Sequence, residues 1–278
     1  MALDADALGR FIDRALAEDL GSGDITSDAV IPEGAAVKLA MTTRQDIVVA
    51  GIDIAARVFH RLAPEAHITI AAPDGTAAKA GSVLARFEGP ALGLLAAERT
   101  ALNIVQHLSG IATLSRAYSE AIAGTPAVLL DTRKTVPGLR ALAKYATTLG
   151  GARNHRLRLD DGVLIKDNHI AVSGSVTEAV RRAKAEGLKS IEVECDTLGQ
   201  VEEALAAGAE RLLLDNMDLA TLRRAVEVTA GRAQLEASGG VTMETVRAIA
   251  ETGVDFISAG RITSSAPAAD IGLDLRAE

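Results

Sequence analysis

Apolar residues in the first twenty positions recur three and four apart: Leu3, Ala7, Leu8, Phe11, Ile12, Ala15 and Leu16. That spacing predicts an amphipathic helix, ended by Gly21, Ser22 and Gly23. Asp24-Ile25-Thr26-Ser27 then reads as a loop. From about residue 35 to 88 the rhythm shortens to β-like runs at 37–41, 46–49, 67–70 and 83–87. Gly51, Pro64, Pro73, Gly75 and Gly81 punctuate them, and a helical pattern occupies 53–62. This stretch predicts a small α+β unit. After Pro90 an Ala/Leu-rich helical pattern covers 91–123, with an expected break near Ser109-Gly110.

A third rhythm follows. Short apolar runs each close on a polar or small residue, and a helical segment comes next. The runs at 127–130, 163–165, 190–193, 211–214, 233–237 and 256–259 close on Asp131, Lys166, Glu194, Asp215, Ser238 and Gly260. From Lys166 onward the closing residues are 28, 21, 23 and 22 positions apart. A strand, a helix and two short loops take about 20 to 30 residues, the crossover that parallel strands require. The prediction is an α/β fold: a barrel smaller than the eightfold one, with a doubly wound open sheet as the alternative. In α/β barrels the site lies at the carboxyl ends of the strands. The six closing residues would therefore ring one mouth.

Composition narrows the class. The 278 residues are 48% hydrophobic and 24% charged, which argues against disorder. The net charge of −8 and an aromatic content of 2% disfavour a nucleic-acid partner. The single Cys195 excludes an intrachain disulfide and fits a reducing compartment. No apolar run reaches the roughly 18 residues of a membrane span, and the first residues lack signal-peptide pattern, so a cytoplasmic protein is expected.

The charge is uneven in a way that matters. Between Asp131 and His169 there are eight Lys/Arg and four Asp/Glu, a window of +4 that leaves −12 for the rest. Basic residues on strand-end loops converge on anions. Arg suits planar carboxylates and Lys suits phosphate. Arg140 and Lys144, four apart, read instead as a solvated helix face. Glu194 and Asp215 close consecutive strands and suit a hard divalent ion such as Mg²⁺ shared with phosphate oxygens, or else an ion pair of Glu194 with Lys166. Gly150-Gly151, Ser238-Gly239-Gly240 and Gly260 offer turns where backbone N–H groups approach a phosphate. Cys195 reads as packing.

These segments together resemble the quinolinate phosphoribosyltransferases, the carboxylating nicotinate-nucleotide pyrophosphorylases. The likeness runs in order through Glu98-Arg99-Thr100-Ala101-Leu102-Asn103, Asp131-Thr132-Arg133-Lys134-Thr135, Asn154-His155-Arg156, Leu164-Ile165-Lys166-Asp167-Asn168-His169, Glu192-Val193-Glu194, Leu214-Asp215-Asn216-Met217 and Glu236-Ala237-Ser238-Gly239-Gly240. It implies an N-terminal α+β open sandwich over 1–110 and an incomplete TIM-like barrel of six to seven strands over 111–267. The tail, 268–278, would rejoin the first domain. It implies transfer of phosphoribosyl from phosphoribosyl pyrophosphate to quinolinate, with loss of CO₂, in NAD biosynthesis. A non-catalytic, molybdenum-transport-associated homologue is the alternative.

By the same resemblance Arg133, His155 and Arg156 bind the quinolinate carboxylates, with Thr132 beside them. Arg99 joins them across the interface of a homodimer or larger homo-oligomer. Lys134 and Lys166 reach both substrates. Glu194 and Asp215 serve the ribose hydroxyls and a Mg²⁺-pyrophosphate, directly or through water, and Ser238, Gly239 and Gly260 hold the 5′-phosphate. Lys134, Lys166, Glu194 and Asp215 form the implied catalytic set. One departure stands out: Ser264 occupies the place where the family often has a His, and Arg261 is the nearby cation that could replace it.

Overall fold

The structure, a computed structural model, describes residues 3–275. In chain order it begins with α1 (Ala5–Leu20), α2 (Ile25–Val30), β1 (Ala36–Thr43), β2 (Ile47–Val48), α3 (Ile52–Leu62), β3 (His67–Ile70), β4 (Ala77–Ala78), β5 (Val83–Pro90) and α4 (Ala91–Ala121). Strands and helices then alternate as β6 (Val128–Leu130), α5 (Arg140–Leu149), β7 (Leu164–Ile165), α6 (Asp167–Ser173), α7 (Val176–Ala185), β8 (Glu192–Cys195) and α8 (Leu198–Ala207). The last elements are β9 (Arg211–Asp215), α9 (Leu219–Thr229), β10 (Gln234–Ser238), α10 (Val246–Ala250), β11 (Phe256–Ser258), α11 (Arg261–Ser264) and β12 (Ile271–Leu275). They form two units. One comprises Met1–Arg116, Ala141–Gly150 and Ala266–Glu278, and the other Ala117–Arg140 and Gly151–Ser265.

The first unit is built on an antiparallel sheet in the order β12-β1-β5-β3. β12 pairs with β1 from Leu39↔Leu275 to Thr43↔Ile271, so the end of the described chain completes this sheet. Residues 276–278 of the expected tail lie outside the described residues. Helix α3 turns Ile52, Ile54, Ala55, Val58 and Phe59 inward, and the Phe59 ring packs 4.2 Å from that of Phe87 on β5. Helix α1 buries Leu8, Ile12 and Leu16, one stripe at a spacing of four. The expected loop after it is the short helix α2, because the Asp24 carboxylate accepts from the N–H groups of Thr26 and Ser27 and caps it.

Three further expectations are corrected here. α4 is continuous through Ser109-Gly110. Gly110 is small because the Pro267 carbonyl lies where its side chain would be: a Cβ would sit 2.0 Å from that oxygen. Gly150 likewise faces backbone rather than a ligand, with the Ala112 carbonyl 2.4 Å from its would-be Cβ. The Arg140–Lys144 pair is not a solvated face. Lys144 is fully buried, and Arg140 donates to the Leu157 carbonyl at 3.1 Å. Spacing alone could not separate these, because a helix has one buried and one exposed face and four residues stay on the same one.

The second unit is the predicted α/β architecture. Its parallel sheet runs β6-β11-β10-β9-β8-β7. Beyond β6, Leu130 makes a parallel bridge to Arg153, so the segment at Arg153 takes the seventh place. Registers are aligned: Glu194 lies beside Leu213, Leu213 beside Glu236, and Glu236 beside Phe256. Each strand returns through a helix, and the strand residues are buried on both sides.

Candidate active site

The strand order places the carboxyl-end residues in sequence around one mouth. Thr132 and its neighbours follow β6, Gly260 follows β11, Ser238 ends β10, Asp215 ends β9, Glu194 lies in β8 and Lys166 follows β7. One detail differs from the sequence reading. Glu194 is inside its strand and buried, not beyond its end. Strand alternation still puts it on the same face as Leu213, and Asp215 is two residues further along β9 on that face. Lys166 Nζ donates to Glu194 Oε2, so the ion pair weighed above is present.

At β6 the chain after Asp131 is tied down from both sides. The fully buried Asp131 carboxylate accepts from Asn154 Nδ2 at 2.6 Å and from the His155 N–H at 2.8 Å. The Thr132 hydroxyl accepts from the Lys134 N–H, and Thr263 Oγ1 donates to the Lys134 carbonyl at 2.8 Å. Gly260 lies next to them: a Cβ there would sit 2.9 Å from Lys134 Cδ, so the lysine side chain passes over it. Thr132, Lys134 and Gly260 are therefore brought together, while the Lys134 side chain stays exposed. Gly260 also begins α11, and the Ser264 hydroxyl turns back onto the Gly260 carbonyl at 3.0 Å. Asp215 and Ser238 are register partners.

The basic residues form a separate group. Burial and the neighbouring Arg133 charge pull the Arg156 guanidinium below its ordinary pKa. Arg133 Nε is buried without a hydrogen-bond partner. A buried guanidinium donor left unmet makes a site that a carboxylate would satisfy. Arg156 also lines a cavity of about 360 Å³ together with His155, Glu192, Glu210, Arg211 and Gln234, which lies at the amino ends of β8, β9 and β10 and not at the mouth. Arg99 is exposed on α4 and belongs to the first unit.

The His155 ring turns toward buried carboxylates inside the second unit. Its Nε2 lies 3.1 Å from Glu192 Oε2 and 3.5 Å from Glu236 Oε2, while Nδ1 accepts from the Arg156 N–H at 2.8 Å. A backbone N–H can only donate, so the proton of the neutral ring is on Nε2 and points at Glu192. Burial pulls the His155 pKa down. The Glu192 hydrogen bond and the charges of Glu236 and Glu192 outweigh it, and the net shift is upward. Arg211 completes the cluster, 3.3 Å from Glu192 Oε1 and 3.4 Å from Glu236 Oε2, with its guanidinium 3.8 Å above the Phe256 ring.

Sequence reasoning missed this cluster. Its signal was the period-two spacing of Glu192 with Glu194 and of Glu236 with Ser238, which puts each pair on one strand face. His155, Glu192 and Glu236 bring three ligand-type atoms within 4.8 Å of one another. The Arg211 guanidinium faces both carboxylates and balances the charge of one of them. Cys195 is buried and its thiol is pushed up to about 12, chiefly by burial, in agreement with a packing role.

Comparisons with known proteins cover nearly the whole chain. Residues 24–109 match the family model for the quinolinate phosphoribosyl transferase N-terminal domain, and residues 111–274 the model for its C-terminal domain. A nicotinate-nucleotide pyrophosphorylase [carboxylating] of Mycobacterium leprae is 44% identical over 97% of this chain and 98% of its own length. Among solved structures, the nicotinate-nucleotide pyrophosphorylase from Ehrlichia chaffeensis superposes with a TM-score of 0.94 at 43% identity, covering 99% of this chain and all of its own. The Francisella tularensis enzyme of that name gives a TM-score of 0.94 at 37% identity, covering 99% and 98%. Two consecutive family models over nearly the full length, a homologue at 44% identity and a shared fold place this chain in the quinolinate phosphoribosyltransferase family.

Proposed function

We propose that this chain performs the reaction for which its family is named. It transfers phosphoribosyl from phosphoribosyl pyrophosphate to quinolinate, giving nicotinate mononucleotide, pyrophosphate and CO₂. The observation that carries the reading to these residues is the buried Nε donor of Arg133, which has no hydrogen-bond partner. Quinolinate presents two adjacent carboxylates, and planar bidentate pairing is what guanidiniums do best. The relatives described above carry the carboxylating name, and nothing in them favours the non-catalytic alternative.

In this reading Arg133 and Arg156 hold the dicarboxylate, with His155 behind them and Lys134 and Lys166 alongside. The ring nitrogen attacks C1 of the ribose as pyrophosphate leaves. The C–CO₂ bond then breaks, CO₂ departs, and the electron pair stays on the carbon beside the cationic ring nitrogen, to be protonated. The Lys134 and Lys166 amines stabilise the developing negative charge. Ser238, Gly239 and Gly260 receive the 5′-phosphate at the ends of adjacent strands.

Glu194 and Asp215 take the ribose hydroxyls and the pyrophosphate end. Two carboxylates on one face of adjacent strands are hard oxygen donors, and that donor set fits Mg²⁺ held through water and phosphate oxygens. Bound there, Mg²⁺ would supply charge neutralisation for the leaving pyrophosphate. Arg99 is read as acting in the site of a neighbouring copy within a homodimer or larger assembly, since it is exposed and belongs to the other unit. Among the described residues no helix is long and apolar enough to cross a membrane. The single buried cysteine supports the reducing cytoplasm as the compartment.

The deciding experiment is an assay of the purified protein with quinolinate labelled in the 2-carboxylate, phosphoribosyl pyrophosphate and Mg²⁺. Labelled CO₂ and nicotinate mononucleotide should appear in equal amounts. Release of neither, with any divalent ion, would overturn the assignment.

A further inference from the structure

Asn216 is the residue just past β9, between Asp215 and the turn that follows. It is one of the non-glycine residues with positive φ among the described residues, at 53°. The left-handed conformation bends the chain sharply. Its backbone N–H then donates across to the Ser238 carbonyl at 2.9 Å, locking the end of β9 to the end of β10. Asn tolerates that conformation better than other side chains, but glycine would adopt it freely. Backbone geometry therefore does not by itself explain why an amide side chain stands here.

The side chain makes two further contacts. Its Nδ2 donates to Asp215 Oδ2 at 2.6 Å. Its Oδ1 fills the place where a Cβ on Gly239 would be, 2.2 Å from that position, and Gly239 itself has φ +87°. One side chain thus orients the Asp215 carboxylate and abuts the Ser238-Gly239-Gly240 turn.

We infer that Asn216 is a positioning residue that couples the ribose–pyrophosphate end of the site, at Asp215, to the 5′-phosphate turn at Ser238–Gly240. Its amide occupies Oδ2 of Asp215 and so reserves Oδ1 for the ligand. Its bulk sets how closely the Gly239 backbone approaches, and hence where the phosphate turn stands relative to that carboxylate. The inference rests on the functional reading above. It adds a residue that contacts neither the reacting atoms nor quinolinate and acts only through the phosphoribosyl pyrophosphate side.

The test compares Asn216→Gly, Asn216→Asp and the unaltered protein. Gly keeps the left-handed turn and removes the amide. Asp keeps the size but replaces the donor with a charge that repels Asp215. Thermal midpoint, KM for each substrate, kcat and direct calorimetric binding of phosphoribosyl pyrophosphate are measured. For Asn216→Gly the midpoint should be unchanged or higher. Affinity for phosphoribosyl pyrophosphate should fall about tenfold to a hundredfold, the worth of a hydrogen bond to a charged group. KM for quinolinate should stay within about twofold, because a bond that is not made to quinolinate contributes nothing to its binding. Asn216→Asp should bind phosphoribosyl pyrophosphate more weakly still.

Unchanged binding of phosphoribosyl pyrophosphate in Asn216→Gly overturns the inference. So does a parallel loss for both substrates or a lowered midpoint, which would mark Asn216 as a structural residue only. If the unaltered protein binds phosphoribosyl pyrophosphate but turns nothing over, the functional reading fails while the binding comparison still decides the role of Asn216.

Discussion

At the scale of single residues, buried charge governs behaviour. Glu236 is fully buried, and burial first, then the Glu192 charge, pushes its carboxyl from 4.5 up to about 7. The folded chain therefore binds a proton there that the unfolded chain has already released between those two values. That contribution to stability is present below the unfolded pKa and is lost as pH rises through the folded one. Urea unfolding at pH 5 and pH 8 should show the protein losing stability across this range, and Glu236→Gln should lose less of it. A second prediction concerns Lys166. Its side chain is 45% exposed although the Glu194 carboxylate it pairs with is buried, so water screens part of the interaction. Steady-state kinetics should show Lys166→Ala reducing kcat/KM by roughly 100-fold to 1,000-fold, the usual loss when one group facing charge that develops in the transition state is removed.

At the scale of elements, most of the secondary structure was legible and the exceptions share a cause. The 21-to-28-residue spacing of strand ends needs only crossover geometry, so the alternating pattern from β7 to β11 could be read directly. Gly110 misled because a glycine in a helix reads as a weak point, whereas here it admits the Pro267 carbonyl. Gly9 in α1 is its contrast, since a Cβ there would have nothing within 4 Å. Gly9→Ala should therefore stabilise by about 0.5–1 kcal/mol, the ordinary gain from glycine to alanine in a helix. Gly110→Ala should destabilise by about 1–3 kcal/mol despite the same propensity gain, since the added methyl overpacks against backbone. Thermal melts of the two variants should move in opposite directions. Lys144 is the other instructive case: its spacing from Arg140 reads as a basic face, but the side it shares with Ala143 and Thr147 is the buried one.

At the scale of the whole molecule, the second unit carries a cluster of charged side chains in its largely apolar interior. Arg211 is the cation between Glu192 and Glu236, so removing it alone leaves two buried carboxylates against one imidazole. Arg211→Met should cost about 3–5 kcal/mol in urea unfolding, the usual result of breaking a buried ion pair from one side. The assembly prediction is separate. Arg99→Ala and Lys166→Ala chains, each impaired alone, should recover activity when mixed under conditions of verified subunit exchange. If exchange occurs and activity stays absent, Arg99 serves its own chain's site.

What the sequence determined by itself was local and chemical. Apolar periodicity set the elements, the spacing of strand ends set the parallel architecture, and the +4 window within a −8 chain marked the segment where cations are concentrated. These follow from near neighbours and from residue type, so they need no coordinates. What only the tertiary structure decided was which groups from distant strands share a space. The Glu192–Arg211–Glu236–His155 cluster joins residues from three strands and a loop, and the Asn216–Gly239 contact joins two strand ends. Such contacts depend on register and on which face of each strand turns inward. A one-residue slip would reverse that face for every side chain, and no local pattern records the register across a sheet.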